Sequence, residues 1–477
     1  MLTGRVQDYY KKIAQSFENS YFAEDESKII IGIDCEFLDA RAMDFSEFKA
    51  RFYEKAAKKP LCEWAGFFGV FAADFITLYE DIAAPKAHSY DFPLFLFADA
   101  RAYLIYEKHS KMYHCYGEGR YFEFLGENSA ENSANCVNFS SNSKENSQIS
   151  ANLKENSRAA AKNSQNSANL SENSQISNKN SIQAAKNSRS ATQNSAKNST
   201  NFEILSDLKK EKQSFLAMVE RAKEYLLSGD IFQVVLSRQL CVRTNADTFS
   251  FYEELARQNP SPYMFHFPTP YGVVVGSSPE LVLSVKNREL FVAPIAGTRN
   301  LSENADKMAL QADLLSDEKE LCEHRMLVDL ARNDVSKFGE RTRVANPFSV
   351  VSYQYVMHIV SEVYAQLRKD ASVFDAITAV FPAGTLSGAP KIRALQIISE
   401  LEGLNRGIYG GAIGFLRFNE DVLLAILIRS LIFVGQNAYI ASGAGIVAGS
   451  EPEKEYAEIC AKRRSLLSAF ENLGGKR

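Results

Sequence analysis

YGVVVGSSPELVLSVKNRELFVA, residues 271–293, carries three apolar runs in close succession, at 271–276, 281–285 and 290–293. Short runs rich in Val and Leu, bounded by Gly, Pro, Ser and Asn, read as buried strands. Lys286-Asn287 marks a turn between the last two, which makes them a hairpin. Strands that follow one another without helical segments between them do not build a regular βαβ repeat. The reading from this stretch is an α+β fold, with large mixed or antiparallel β-sheets packed with helices.

Working outward, strand and helix signals stay mixed. Residues 202–229 read as an amphipathic helix and 231–240 as a buried strand. Residues 319–333 read as a helix, 350–364 as one alternating strand, and 390–401 as a helix closed by Gly403. Toward the N-terminus, 28–33, 66–73 and 92–97 are strand-like. From 126 to 201 large apolar residues almost vanish, and ENS, KNS and QNS recur, as at 127–129, 162–164 and 193–195. Such composition cannot offset the entropy of ordering by burial, so this part is expected to be a disordered insertion. Three parts follow: an N-terminal region (1–125), the low-complexity insertion (126–201) and a motif-rich domain (202–477).

With 54 Lys and Arg against 58 Asp and Glu, the chain lacks the basic excess that nucleic acid would favour. Cys35, Cys62, Cys115, Cys136, Cys241, Cys322 and Cys460 are scattered, odd in number and without a CxxC pair. Free thiols in a reducing cytoplasm are the expectation. Neither an apolar leader segment nor an 18-residue apolar run occurs, so no signal peptide and no membrane span are expected.

Four constellations could carry chemistry. Glu320 and Glu323, and again Glu455 and Glu458, are three residues apart on helical segments, so each pair shares a helix face. Two such faces opposed would offer all-oxygen ligation to Mg²⁺; each pair taken alone reads first as a solvated surface pair. FPAGTLSGAPK (381–391) is a small-residue turn feeding a helix start, fit either for an anion or for an ordinary tight loop. Arg429 stands alone in AILIRSLIFV (425–434) and must be paired when buried, by a salt bridge or a bound carboxylate. Downstream, Gly443 and Gly445 in ASGAGI permit close backbone approach. His358 shares a strand face with Val356 and Val360 and is expected to point inward, either as a core residue or as an acid–base group. Walker, GxGxxG, nucleophile-elbow and HExxH motifs are all missing.

Nine segments in order resemble the chorismate-utilising enzyme family. They are GDIFQVVLSRQ (229–239), NPSPYMF (259–265), GSSPE (276–280), PIAGTR (294–299), KELCEHRMLVDLARND (319–334), YVMHIVSEV (355–363), AGTLSGAPKIRA (383–394), RGIYGGAIGF (406–415) and SGAGIVAGSEPEKEYAE (442–458). The resemblance implies that family's fold and a convergence of the two glutamate pairs. Glu320, Glu323, Glu455 and Glu458 would then frame Mg²⁺ against the ring carboxylate of chorismate. It also implies that Tyr409, Arg429, Gly445 and Thr385 hold the enolpyruvyl carboxylate and its neighbourhood, with Gly443 beside them. Gly297, Thr298 and Lys462 would complete the pocket. Glu280 matches the general acid for the departing C4 hydroxyl, and His358 a histidine linked to pyruvate loss.

Two positions separate the branches. Relatives that add water carry a lysine base where this chain has Gln233, and aminodeoxychorismate-forming relatives carry a nucleophilic lysine where it has Ala296. Direct attack of ammonia at C2 and elimination of pyruvate to anthranilate is the implied reaction, the first committed step of tryptophan biosynthesis. Ammonia would come from a glutamine amidotransferase subunit, since no GxCxGxQ elbow is present, and a heterotetramer is one implied assembly. Aminodeoxychorismate formation is the nearest rival, followed by a non-catalytic chorismate or tryptophan sensor and a scaffold built on the Asn/Ser tract. By the same resemblance, Ser20 in Glu18-Asn19-Ser20, with Pro262, Tyr263 and Met264, would form a tryptophan feedback site. One departure is that Thr298-Arg299 runs into Asn300-Leu301-Ser302 without the family's second Arg-Gly.

Deleting residues 130–198 is expected to leave activity and thermal midpoint largely intact. A collapse of either, measured side by side with the full chain, would show the segment to be structural.

Overall fold

Every strand pair among the described residues is antiparallel, as the hairpin reading of 271–293 requires. The computed structural model describes residues 2, 4–83, 85, 87–125, 201–301, 306–352 and 356–474. The described residues belong to one compact unit. The low-complexity tract and Cys136 lie outside the described residues. The architecture is mixed α+β, with a large antiparallel sheet and helices packed on it.

The hydrogen-bonded ladder can be followed from end to end. Gly339–Ser352 pairs with Val356–Leu367, which pairs with Glu289–Val292 and Ile295–Asn300. From Glu289–Val292 it runs through Leu281–Lys286, Val422–Ile426 and Ala412–Arg417 to Gly66–Phe71. It continues through Phe95–Glu107, Lys28–Asp39, Tyr21–Glu24 and Tyr263–Thr269 to Gly272–Ser278. Ser430–Val434 and Asn437–Ile446 close the series on Gln233–Thr244. Four strands from before residue 125 thus form one block in the ladder, flanked on both sides by strands from after residue 202.

Two packing centres position the site. Phe48, Phe52, Phe67, Phe71, Phe75, Phe95 and Phe374 are essentially solvent-free and pack together. Each is worth about 1.5–3 kcal/mol of burial. The second centre explains the period of the last two strands. Val234 and Leu236, with their cross-strand partners Ile446 and Ala444, pack against Phe215, Ile397 and Ile459 of three helices, Leu208–Leu227, Lys391–Glu402 and Pro452–Leu473. By alternation, Gln233, Val235, Ser237, Gly443 and Gly445 face the opposite side.

Several sequence readings need correction. Residues 202–229 are not one helix. Phe202–Ile204 is a strand on the end of Gln233–Thr244, and the helix starts at Leu208, where the Asp207 side chain accepts the amides of Lys209 and Lys210. Residues 350–364 are not one strand either. Gly339–Ser352 and Val356–Leu367 form an antiparallel pair with Val351 opposite His358. The buried face of the second strand is Met357, Ile359 and Ser361, so His358, with Val356 and Val360, lies on the half-buried face. The hydrophobic alternation was right in period and misassigned in phase, because Met357 and Ile359 pack against Leu301 and Leu314. The 281–292 hairpin turns at Asn287-Arg288, both with positive φ, one residue later than read. Helix Lys391–Glu402 does end on Gly403, at φ 62°, with Pro390 as its N-cap.

Candidate active site

Gly272–Ser278 pairs with Ser430–Val434, while Leu281–Lys286 pairs with Val422–Ile426. The two chain segments therefore change partners together, at 279–280 and 427–429. Backbone bonds lock the change: Ile426 N donates to Glu280 O (2.9 Å) and Ser277 N donates to Arg429 O (3.2 Å). Arg429 sits there at φ 50°, a left-handed conformation unusual for a residue with a Cβ. The side chains of Glu280 and Arg429 emerge from this irregularity into each other's electrostatic reach.

Burial raises the Glu280 carboxyl to about 7, offset in part by the Thr385 hydroxyl and by the charges of Lys462 and Arg429. Thr385 Oγ1 donates to Glu280 Oε1 at 2.7 Å. Oε2 receives no hydrogen bond among the described residues. The carboxyl can thus be protonated near neutrality, with one oxygen fixed and the other open to a reacting group. Burial lowers the Arg429 guanidinium, with Tyr409, Glu280 and Glu458 opposing that shift. Among the described residues Arg429 makes no ion pair, which fits a site for an anionic ligand group.

The floor is built from the two paired strands. Gly443 lies opposite Ser237 and Gly445 opposite Val235. A Cβ on Gly443 would come within 2.7 Å of both the Leu236 carbonyl and the Tyr409 hydroxyl, so only glycine allows this approach. Lys462 Nζ donates to Gly443 O (2.8 Å) and pairs with Glu458 (2.6 Å). Gln233 is buried; its Nε2 donates to Glu323 Oε1 (2.8 Å) and lies 2.7 Å from the position of a Cβ on Gly445.

On the far wall, a bulge between Ala296 and Thr298 puts Gly297 at φ 67°. The Gly297 carbonyl lies 2.9 Å from His358 Nδ1, and Thr298 Oγ1 lies 3.1 Å from the same nitrogen. A carbonyl cannot donate, so Nδ1 carries the proton and Nε2 is the basic nitrogen. Burial lowers the His358 pKa, with the charge of Arg429 adding to it and the Gly297 bond opposing it, so the neutral ring prevails. Arg299 is held by Asp313 (2.6 Å) and Asp317 (2.9 Å), which fixes the strand end that lacks the family's second Arg-Gly. Ser302 lies outside the described residues.

Glu320 and Glu455 lie in the first turns of helices Glu318–Ser336 and Pro452–Leu473, where the helix dipole favours anions, and Glu323 and Glu458 follow about one turn further on. The Glu320 carboxyl is raised by burial and then by Glu323; Glu455 is raised by burial, with Glu458 adding to it. The charge of Lys319, on the first helix, acts on Glu455 of the second, so the two helix starts are near each other. Among the described residues no three His, Cys, Asp or Glu side chains cluster closely enough to hold a metal ion directly. The donor chemistry nevertheless suits a hard divalent cation: all-oxygen ligands, burial, and like-charge repulsion that a cation would relieve.

Each of the fifteen residues assigned from sequence to catalysis, substrate and metal thus touches or electrostatically influences another. Ser20, Pro262, Tyr263 and Met264 make none of these contacts. The Ser20 hydroxyl is turned onto Phe17 O (2.8 Å), and strand Tyr21–Glu24 after it pairs with the strand holding Tyr263 and Met264. Tyr263 and Met264 line an open cleft with Ala23, Glu24 and Phe68; Ser20 and Pro262 do not line it. Sequence reasoning assigned no role to Glu402 or Arg406, buried beneath the floor. Arg406 carried no such signal, since EGLNRGIYGG around it is not an apolar run of the kind that singled out Arg429.

The six described cysteines are free thiols. No helix among the described residues is long and apolar enough to cross a membrane. The sequence pattern of chorismate binding enzymes matches residues 9–468. Anthranilate synthase component 1 of Acetivibrio thermocellus is 49% identical over 267 residues, 55% of this chain and 54% of that protein. Its counterpart in Bacillus subtilis is 45% identical over 263 residues, 54% of this chain and 51% of that protein. The match thus spans about half the length of these curated relatives. The crystal structure of anthranilate synthase component I from Streptococcus pneumoniae superposes with a TM-score of 0.67 at 29% identity, covering 94% of this chain and 91% of that one. A menaquinone-specific isochorismate synthase from Escherichia coli shares the fold alone, with a TM-score of 0.62 at 17% identity over 94% of this chain and 88% of its own.

Thr385→Val removes the bond that favours the ionised form of Glu280. Followed by carboxyl infrared titration, with Glu280→Gln to identify the band, the midpoint is expected to move above its starting value near 7. An unchanged or lowered midpoint would show that the hydroxyl does not tune this acid.

Proposed function

The chain belongs to the chorismate-binding enzyme family, and on that footing we propose that it converts chorismate and ammonia to anthranilate and pyruvate, in the cytoplasm, as the first committed step of tryptophan synthesis. The observation that carries this reading is a protonatable carboxyl, Glu280, set beside a buried Arg429 that has no ion-pair partner among the described residues. Arg429 and the Tyr409 hydroxyl take the enolpyruvyl carboxylate, and the open oxygen of Glu280 faces the C4 hydroxyl. Gly297 and Thr298 bound the opposite wall.

In the first step, ammonia forms a bond to C2, both ring double bonds shift (C1=C2 to C1=C6 and C5=C6 to C4=C5), and the C4–O bond breaks. Glu280 gives its proton to the departing hydroxyl, which leaves as water. In the second step, neutral His358, with Nε2 basic, takes the C2 proton, the C3–O bond breaks and the ring becomes aromatic; the side chain leaves as the enolate of pyruvate, whose methylene carbon takes up a proton, returned from His358, to give pyruvate. Gln233 is an amide and cannot serve as a base for water, and Ala296 offers no nucleophile to the ring. Both absences favour ammonia as the attacking group. Glu320, Glu323, Glu455 and Glu458 would hold Mg²⁺, which when bound neutralises the ring carboxylate and fixes the ring. Lys462, tied to Gly443 O and Glu458, holds that side of the floor in place.

Component 1 in the relatives' names speaks for a partner component, here a glutamine amidotransferase that delivers ammonia. Tryptophan is proposed as a feedback inhibitor bound at the cleft of Tyr263 and Met264. Aminodeoxychorismate formation is the second reading. It differs in retaining the enolpyruvyl group.

The full chain, given chorismate, Mg²⁺ and ammonium at alkaline pH, is expected to yield anthranilate fluorescence and pyruvate together, both lost with EDTA. Glu323→Gln should lower the rate roughly 10–100-fold, as loss of a group around a metal does. Chorismate consumption without pyruvate would instead establish the second reading. Tryptophan added to the same assay should inhibit. Activity that stays flat to millimolar tryptophan would remove the feedback proposal.

A further inference from the structure

Beneath the floor lies a second buried charge pair. Arg406 and Glu402 have side chains 9% and 4% exposed, and the guanidinium grips the carboxylate through Nε (2.9 Å) and Nη2 (2.6 Å). The remaining bonds run to the walls of the site. Arg406 Nη1 donates to Leu386 O (2.7 Å), in the turn whose preceding residue, Thr385, holds Glu280. Nη2 donates to Val235 O (2.6 Å), and Val235 lies opposite Gly445. Glu402 Oε1 accepts the amide (2.7 Å) and hydroxyl (2.9 Å) of Ser237, which lies opposite Gly443. The guanidinium also lies 5.7 Å from the centre of the Tyr409 ring, and Tyr409 N donates to Arg406 O (3.1 Å). One planar cation therefore meets the acid-holding turn, the glycine floor and the tyrosine of the opposite wall.

We infer that Arg406, held by Glu402, is a positioning residue that sets the spacing between Thr385, Tyr409 and the Gly443–Gly445 floor, without touching substrate itself. The inference rests on the activity proposed above for this site. The planar fork is what the position demands. It satisfies two carbonyls and a carboxylate in fixed directions, which the single ammonium of lysine cannot do. The geometry also predicts a signature. If the turn drifts, Thr385 loosens from Glu280, and Glu280 loses a bond that favours its ionised form. Its pKa rises, and because catalysis needs the protonated acid, the high-pH limb moves upward.

The test uses the full chain with chorismate, Mg²⁺ and ammonium. Arg406→Lys should raise KM for chorismate about ten-fold or more and move the high-pH limb of kcat/KM upward. Arg417→Lys is the comparator. It perturbs a similarly buried pair, Arg417 with Asp421 (9% and 7% exposed), that contacts none of the site residues. It should lower the thermal midpoint with KM and the limb unmoved. An Arg406→Lys enzyme that behaves like the comparator overturns the inference. Ser237→Ala, which removes one bond to Glu402, should move KM and the limb the same way but less, and serves if Arg406→Lys does not fold. No movement in it would likewise overturn the inference. Amide hydrogen exchange gives a readout independent of the reaction. In whichever of these two variants folds, exchange should quicken at 234–237, 384–388 and 443–446 and stay unchanged across 95–107. Unchanged exchange at the first three segments overturns the positioning role. If the unmodified chain made no anthranilate, the activity proposal would fall while the exchange result still decided this one.

Discussion

A buried backbone amide cannot go without a hydrogen-bond partner, and that constraint shapes both the fold and its site. A strand that leaves one neighbour must at once find another. Gly272–Ser278 and Leu281–Lys286 meet this demand by exchanging Ser430–Val434 for Val422–Ile426, with the two segments switching in step. At the switch the chain cannot stay regular, and Arg429 takes φ 50°. Strain of this kind, of order 1–3 kcal/mol, persists only where the surroundings hold it. Here paired strands hold it on both sides, and the irregularity aims an acid and a donor-rich cation into one space.

The site's electrostatics follow from burial more than from any single contact. Glu280 loses water, so its neutral form gains, while Lys462 and Arg429 oppose the shift without reversing it. The result is an acid raised to about 7 beside a guanidinium that must remain charged. Arg406 is buried as well and has a different outcome. It spends its donors on Glu402, Leu386 O and Val235 O, whereas Arg429 makes no ion pair among the described residues. Two arginines on neighbouring segments thus take opposite parts, decided by which one finds protein acceptors.

The acidic rim adds a complementary tension. Glu320 with Glu323 and Glu455 with Glu458 crowd negative charge at two helix starts, where the dipoles tolerate it but do not cancel it. Glu323 is tied to Gln233, whose strand also carries Val235 and Ser237. Acid rim, floor and the buried Glu402–Arg406 pair are therefore joined through one strand, and the strand's other face is packed on helices by Val234 and Leu236.

The local chemistry was legible in the sequence. Val-rich runs around 271–293 specify antiparallel strands, Gly403 ends a helix, the spacing of the glutamates puts each pair on one face, and a lone Arg429 in an apolar run must find a partner. Nine motifs in order carried the resemblance and, with it, the expected role of each site residue. Phase and length were less legible. The reading of 350–364 as one strand failed because alternation has the same period in both of the paired strands, and which of the two faces is the more buried could not be read from an alternation that both share. Only tertiary structure decided that two glutamate helices start near each other, that Thr385 reaches Glu280, and that Arg406 links three walls. These pairs are separated by up to 171 residues, as Val235 and Arg406 are. Spacing along a chain governs which side chains share a helix or strand face. Which distant faces meet is set by the ladder and by the packing of its two sides, and no local pattern encodes that.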